Sequence, residues 1–525
     1  MGIRFCFSKK EWIYPLAILI LGFFYYISYF NYGISFNDEG FFVYGAERVL
    51  QGQLPMSDFI SYPPGSYFLL ALLFKVFGIN LLVSRYMEVA FLLMNGVMMF
   101  YIGKRLMTKT IALIPSFVLV AFPGPWHKVF FTFGLLFPMV TLYWFLEKRS
   151  IPKALTMGWA VGISTIFKLE SGLYALLTLG IIILLNDFWQ DGNFVFHKKA
   201  FLSLFKDLSV FLLGFLSILL ALSLYYFSRS SLTGLFYSLR EIALAQASIS
   251  EDYGQPSLLS AVTKFHIGTL SHLFFYLIVL LYLCLFVKVI FDFFVRKRRD
   301  FPPTLPVLIM GCFSLTYAYA MFEKAHLLQS VAMAYLLFGY VIYRLVREKP
   351  IRSKAMLIFL IFLLGLYLLD NFKWSAHFYT GSISRLYAIK REGAKVISLQ
   401  KAKIRVAKRE ADHIYGFVSF FEGKNGYLMP LRFEPMVNFL TGLENPTRFS
   451  ILVPTYISEP SRQRQVIEEV EKHEIKYLLI NRLLWTSQES SGFKNCAPII
   501  YEFVRKRYHL EKEIGNYLIF SRGSL

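Results

Sequence analysis

Residues 35–65 read SFNDEGFFVYGAERVLQGQLPMSDFISYPPG. The stretch carries four carboxylates, Asp38, Glu39, Glu47 and Asp58, and a Pro63-Pro64 corner. Apolar sequence lies on both sides: WIYPLAILILGFFYYISYF ends at residue 30, and another run begins near residue 84. Runs of this kind cross ~30 Å of hydrocarbon at ~1.5 Å per residue. The acids therefore belong to a loop that leaves a membrane and returns to it.

The rest of the chain agrees. Of 525 residues, 56% are hydrophobic, 18% aromatic and only 17% charged, against about 25% charged in a typical soluble domain; mean hydropathy is +0.51. The first apolar run is too long for a signal-peptide core and lacks a small-residue cleavage site, so it reads as a retained span. About eleven spans are predicted, near 12–33, 84–103, 108–124, 129–146, 154–170, 171–188, 208–228, 271–292, 304–322, 328–346 and 355–372. The long block around Lys168 and Glu170 is divided there, which puts the charges at a membrane face.

With the N-terminus inside, inner segments hold twenty-two Lys and Arg and outer segments up to residue 372 hold nine. The asymmetry satisfies the positive-inside rule. It also accounts for the net charge of +21 without nucleic acid, whose binders cluster cations on one soluble face. An odd number of spans places the tail outside. The expected domains are a membrane domain, 1–372, with a first outer loop at 34–83, and an extracytoplasmic α/β domain, 373–525.

Within the first loop, FFVYGAERVLQGQ has helical periodicity, with Phe42, Ala46 and Val49 on one side. GSYFLLALLFKVFG is apolar but short and reads as an interfacial helix. Residues 229–270 form a second long outer segment. In the tail, HIYGFVSFF, NGYLMPL, IKYLLINR and GNYLIFSR read as strands, and SRQRQVIEEVEKHE and PIIYEFVRKRY as helices. The four cysteines, Cys6, Cys284, Cys312 and Cys496, have no metal-ligand spacing and suggest no disulfide framework.

The candidate chemistry gathers on the outer side. A carboxylate such as Asp38 can serve as a general base if it reaches the proton it removes. Asp58 can fold back toward it through Gly52, Pro55 and the Pro-Pro corner. The plain alternative is that Asp38 caps the following helix. Arg85, Lys168, Lys324 and His326 stand at outer ends of spans, where anchoring by snorkelling is the plain alternative. Taken together they form a basic rim suited to a phosphate leaving group.

NDEGFFVYGAERVLQGQLPMSDFISYPPGSYFLLALLFKVFGINLLVSRYME resembles the first outer loop of lipid-dependent glycosyltransferases with the GT-C fold. The similar branch contains protein O-mannosyltransferases and the aminoarabinose transferase that modifies lipid A. Its pattern is an Asp-Glu pair after the first span, G-x-x-P-x-x-D-F, a Pro-Pro corner, an interfacial helix ending in F-G, and an Arg opening the second span. Here these are Asp38-Glu39, Gly52 to Phe59, Pro63-Pro64, Phe77-Gly78 and Arg85. Looser likeness extends to GISTIFKLESGLYALL, EKAHLLQSVAMAYLLFGYVIY and the tail.

The resemblance implies a helical bundle with interfacial helices and an outer α/β domain. It implies inverting transfer of a sugar from a polyprenyl-phosphate-type carrier to a glycan, lipid or protein acceptor among membrane lipids. Asp38 would be the base, with Glu39 and Asp58 positioning or tuning it. The branch has a Lys before its Pro-Pro, where this chain has Tyr62. The donor-phosphate contacts of that branch therefore do not carry over, and lipid A is not implied; Arg85, Lys168 and Lys324 are substitutes by position only, and Tyr62 and His326 complete the substrate-binding candidates. A divalent metal is left open and is not required.

The competing functions are a transporter or lipid flippase, and a non-catalytic scaffold. Transporters often carry paired repeats, and none is visible here. The only N-x-T match, at Asn445, is disqualified by Pro446, which leans toward a bacterial inner membrane. The sugar, the carrier, the acceptor and the tail's role, whether guiding the acceptor or supporting the fold, are not legible.

Overall fold

The computed structural model describes residues 11–190, 193–194, 196–241, 256–257, 270–295, 301–320, 322–348, 351–375, 383–484 and 489–523. It divides into two compact units. One comprises 1–29, 88–223 and 255–384, and the other 30–87, 224–254 and 385–525.

The apolar runs form helices: α1 (Ile13–Ile27), α4 (Leu81–Leu106), α5 (Lys109–Ala121), α6 (Val129–Glu147), α7 (Ile151–Phe167), α8 (Leu169–Phe188), α9 (Lys198–Ser228), α10 (Leu270–Phe294), α11 (Leu305–Ala320), α12 (Lys324–Ser330), α13 (Ala332–Glu348) and α14 (Ile351–Ser375). The first outer loop supplies α2 (Asp38–Leu50) and α3 (Gly65–Phe77). Six described helices are long and apolar enough to cross a membrane, and α12 with α13, bent by 57°, would make a seventh. The break between α7 and α8 falls at Lys168, where the charges divide the apolar block. In the first unit, α7 and α9 cross closely because Gly158 faces Gly214. A Cβ on Gly158 would lie 2.0 Å from the Phe211 carbonyl oxygen, so only glycine permits this approach.

The second unit is α/β. From residue 383 on, the tail adds α15 (Ile383–Arg391), β1 (Lys395–Leu399), β2 (Ala402–Val406), α16 (Lys408–Phe421), β3 (Leu428–Pro430), α17 (Pro435–Thr441), α18 (Pro460–Lys472), β4 (Tyr477–Asn481), α19 (Pro498–Arg507), β5 (Tyr508–Ile514) and β6 (Tyr517–Arg522). The main sheet runs β3-β4-β6-β5, with β3 parallel to β4 and the other pairs antiparallel. β1 and β2 form a separate hairpin.

Central strand β4 is apolar on both faces, as a covered strand must be. Leu478 and Ile480 join Val466, Val470, Ile500 and Val504 in one core, while Tyr477 and Leu479 join Phe417, Phe421 and Val437 in another. The expected strand HIYGFVSFF is instead the end of α16. Its helix starts upstream, where Glu410 reaches back to the Ala407 N–H at 3.1 Å. Ala411, Ile414, Phe417 and Phe421 then fall on one buried face. Its β-branched and aromatic residues serve helical packing, so tertiary burial overrides local propensity.

Candidate functional site

The acid-bearing turn lies in the second unit. Asn37 occupies the cap position of α2, and Asp38 and Glu39 are its first helical residues, where the helix dipole favours negative charge. Helix α2 is not amphipathic as its periodicity suggests: it is buried almost all round from Glu39 to Arg48.

The two adjacent acids differ sharply. Glu39 is 4% exposed and Arg85 0%. Arg85 Nε donates to Glu39 Oε1 at 2.7 Å and Nη2 to Oε2 at 3.1 Å. The remaining donors reach the carbonyls of Phe30 (2.9 Å) and Gly33 (2.8 Å), and the Ser35 N–H donates to Glu39 at 3.1 Å. The structure thus places Arg85, assigned to donor phosphate above, inside a closed hub. Asp38 stays half-buried at the edge of that hub.

Beside Asp38 lies an aromatic wall. Phe42 stacks on Tyr62 and Tyr67 at 5.7 and 5.3 Å, and Phe41 meets Tyr62 edge-on at 5.3 Å. Burial pushes the Tyr67 phenol well up, with Tyr62 and the Asp38 carboxylate adding to the shift. Asp58 is exposed and closes its own turn by accepting from the Leu54 N–H at 2.7 Å. On the same loop, Tyr226 donates to the Pro55 carbonyl at 2.6 Å.

The tail braces α2 along its length. A Cβ on Gly40 would lie 2.3 Å from the Met436 nitrogen, and the Met436 N–H donates to the Phe36 carbonyl at 3.2 Å. The Asn445 N–H donates to Tyr44 Oη at 2.6 Å, and Lys401 pairs with Glu47 at 2.5 Å. Arg48, 1% exposed, donates to Ser450 Oγ and the Thr447 carbonyl, each at 3.0 Å. Burial pulls the Arg48 guanidinium below its usual range, opposed by Tyr44, Asp58 and Glu444. None of these long-range partners was visible to sequence reasoning.

In the first unit two lysines and a histidine gather near Tyr317. Lys168 Nζ lies 5.6 Å from its ring centre and 3.3 Å from Glu170. His326 meets the same ring edge-on at 5.2 Å. Lys128 Nζ lies 2.9 Å from His326 Nε2. An ammonium can only donate, so Nε2 accepts and Nδ1 carries the ring proton, 3.4 Å from Glu323. Lys324 is paired with Asp370 and also donates to the Asp370 carbonyl at 3.0 Å. Lys128 and Tyr317 were missed as site residues, although a lysine between a Pro-Gly-Pro turn and a span was a usable signal. Among the described residues no group of three or more His, Cys, Asp or Glu is arranged to hold a metal ion.

No protein-family model matches the chain, and no curated protein matches it in sequence. Solved structures do match. The aminoarabinose transferase ArnT from Cupriavidus metallidurans, bound to undecaprenyl phosphate, superposes with a TM-score of 0.53 at 11% identity, covering 99% of this chain and 100% of that one. Its apo form gives 0.53 at 10% identity, covering 98% and 99%. The oligosaccharyltransferase AglB from Archaeoglobus fulgidus, in complex with an inhibitory peptide and a dolichol-phosphate, gives 0.52 at 10% identity, covering 98% and 75%. Identities this low speak for the fold alone, and the fold is the GT-C fold of lipid-dependent glycosyltransferases.

Proposed function

We propose that the chain is an integral membrane glycosyltransferase that moves a sugar from a polyprenyl-phosphate-type lipid to an acceptor hydroxyl on the outer face. The observation that carries the reading is the contrast on the first turn of α2. Glu39 is locked by Arg85 while Asp38 is left half-exposed on a rigid support. A base needs such a fixed position. The lipid phosphates in ArnT and AglB support the donor class.

In the proposed step the acceptor oxygen attacks the anomeric carbon. The bond from that carbon to the phosphate oxygen breaks, and its electron pair leaves with the phosphate. Asp38 takes the acceptor's proton, and a single displacement inverts the centre. The leaving phosphate is already a stable anion, so the paired carboxylates of glycoside hydrolysis are not needed. Within the first unit, Lys128, Lys168 and His326 gather into a candidate phosphate-binding group of their own. Arg85 and Glu39 hold the base, Asp58 holds the following turn, Tyr62 lines the aromatic wall, and Lys324 fixes α12 through Asp370.

Four shorter apolar helices, α1, α5, α7 and α11, are assigned as spans beside the six long ones and the bent pair, for eleven in all. The N-terminus is cytoplasmic, residues 373–525 are extracytoplasmic, and a bacterial inner membrane is the assigned location.

The test is sugar transfer by purified protein in lipid, offered a panel of polyprenyl-phosphate sugars. Transfer or donor hydrolysis by wild type that falls by about 10²-fold or more in Asp38→Asn is expected. Turnover that survives unchanged in Asp38→Asn removes Asp38 as the base. No binding of any donor sinks the enzyme reading.

A further inference from the structure

The polybasic stretch 385–409 has no part in that reaction. It holds nine Lys and Arg against one acid, Glu392, and forms α15, the β1–β2 hairpin and the first turn of α16. Two of the cations are spent within the fold, Arg385 on Glu410 and Lys401 on Glu47. Lys390, Arg391, Lys395, Lys403, Lys408 and Arg409 are all exposed, and among the described residues none has a carboxylate within ion-pair distance.

The register fixes the outward face of the hairpin: Val396 stands opposite Arg405, and Ser398 opposite Lys403. Val396 is 65% exposed, and Tyr387 on α15 is 59% exposed. The surface is therefore cationic with apolar side chains set into it.

Backbone bonds tie this hairpin to places where the chain leaves and enters apolar helices. The Arg405 N–H donates to the Asn31 carbonyl at 2.8 Å, and the Gly33 N–H to the Arg405 carbonyl at 2.7 Å. Residues 31–33 follow closely on Ile27, the end of α1, and six extended residues reach at most about 22 Å. At its other end the hairpin accepts from α4: the N–H of Leu81, first residue of that helix, donates to the Lys401 carbonyl at 2.8 Å. Asn80 Nδ2 donates to the Gln400 carbonyl at 3.2 Å. Anchored in this way, the hairpin is within reach of lipid headgroups, and unneutralised cations there are attracted to anionic lipid.

We propose that the β1–β2 hairpin and its flanking turns form a docking surface for anionic phospholipid headgroups of the leaflet the chain emerges from. The exposed cations meet the phosphates. Tyr387 and Val396 sit at headgroup depth, where aromatic and apolar groups are stabilised. The proposal is independent of the glycosyl-transfer reading.

The full chain is reconstituted in nanodiscs of phosphatidylcholine alone, or of equal parts phosphatidylcholine and phosphatidylglycerol. Hydrogen exchange over residues 390–409 is then read by mass spectrometry. Exchange is expected to slow by about fivefold or more in the anionic discs, and the difference to vanish near 1 M salt. It should also vanish in the variant K390Q/K395Q/K403Q/K408Q, whose melting temperature in neutral discs should match wild type. Equal exchange in both discs, or a lipid effect that persists in the variant or in high salt, overturns the proposal. Equal protection by soluble glycerol 3-phosphate in neutral discs also overturns it, making the surface a site for a free anion. The wild-type comparison and its salt dependence stand even if the variant does not fold.

Discussion

Asp38 and Glu39 share a peptide bond and have opposite environments. Glu39 and Arg85 are buried together with their hydrogen-bonding capacity directed at each other and at three backbone groups. Removing one partner of such a pair strands a charge, which costs about 3–5 kcal/mol. Arg85→Ala is therefore expected to lower unfolding stability in detergent by about that amount, and Arg85→Lys not to rescue it, because a point ammonium cannot reproduce the planar fork. Asp38→Asn should shift stability by less than about 1 kcal/mol, so the two variants separate support from chemistry. A second buried acid, Glu434, accepts from Asn481 Nδ2 at 2.9 Å and the Phe433 N–H at 3.0 Å. Burial raises its pKa from the ordinary 4.5, against the lowering pull of Asn481, Arg432 and Phe433. The folded state thus binds this proton more tightly than the unfolded chain. The stability it contributes is full below pH 4.5 and is lost as pH rises through the raised folded value. Melting curves against pH should show that decline in wild type, and a flatter profile in Glu434→Gln.

At the scale of elements, α2 is held from the tail at Gly40, Tyr44, Glu47 and Arg48. Those positions follow a helical spacing, yet the sequence around them reads as a one-sided amphipathic helix with a wet face. The difference arises because polar residues of α2 are buried against polar partners far along the chain. Tyr44→Phe would strand the buried Asn445 N–H and is expected to cost about 1–3 kcal/mol, measured by denaturant unfolding. The same reasoning explains the misread HIYGFVSFF. Its aromatic and β-branched residues have strand propensity, but its helix begins outside the quoted run, at Lys408.

For the whole molecule, these contacts bear on what the tail does. In the second unit the first outer loop and residues 385–525 share one compact body, so support of the acid-bearing helix is a role the packing favours over guidance of the acceptor alone. A chain truncated after residue 384 is expected to lose donor hydrolysis together with transfer, and to expose the first loop to limited proteolysis. Retained hydrolysis with altered acceptor choice would assign the tail to the acceptor instead.

What the sequence by itself determined was the membrane class, the position of each apolar helix, the α/β character of the tail and the Asp-Glu pair at residues 38 and 39. Those features are written in run length, periodicity and local motif, which are one-dimensional signals. Only the tertiary structure decided which charges are spent. Glu39 finds Arg85 46 residues away, and Lys401 finds Glu47 354 residues away. Hydropathy reports that a position is buried or exposed, but the partner that neutralises a buried charge is chosen by chain folding. The half-exposed place of Asp38 beside a locked Glu39, and the exposure of the basic hairpin, therefore become visible only in the folded chain.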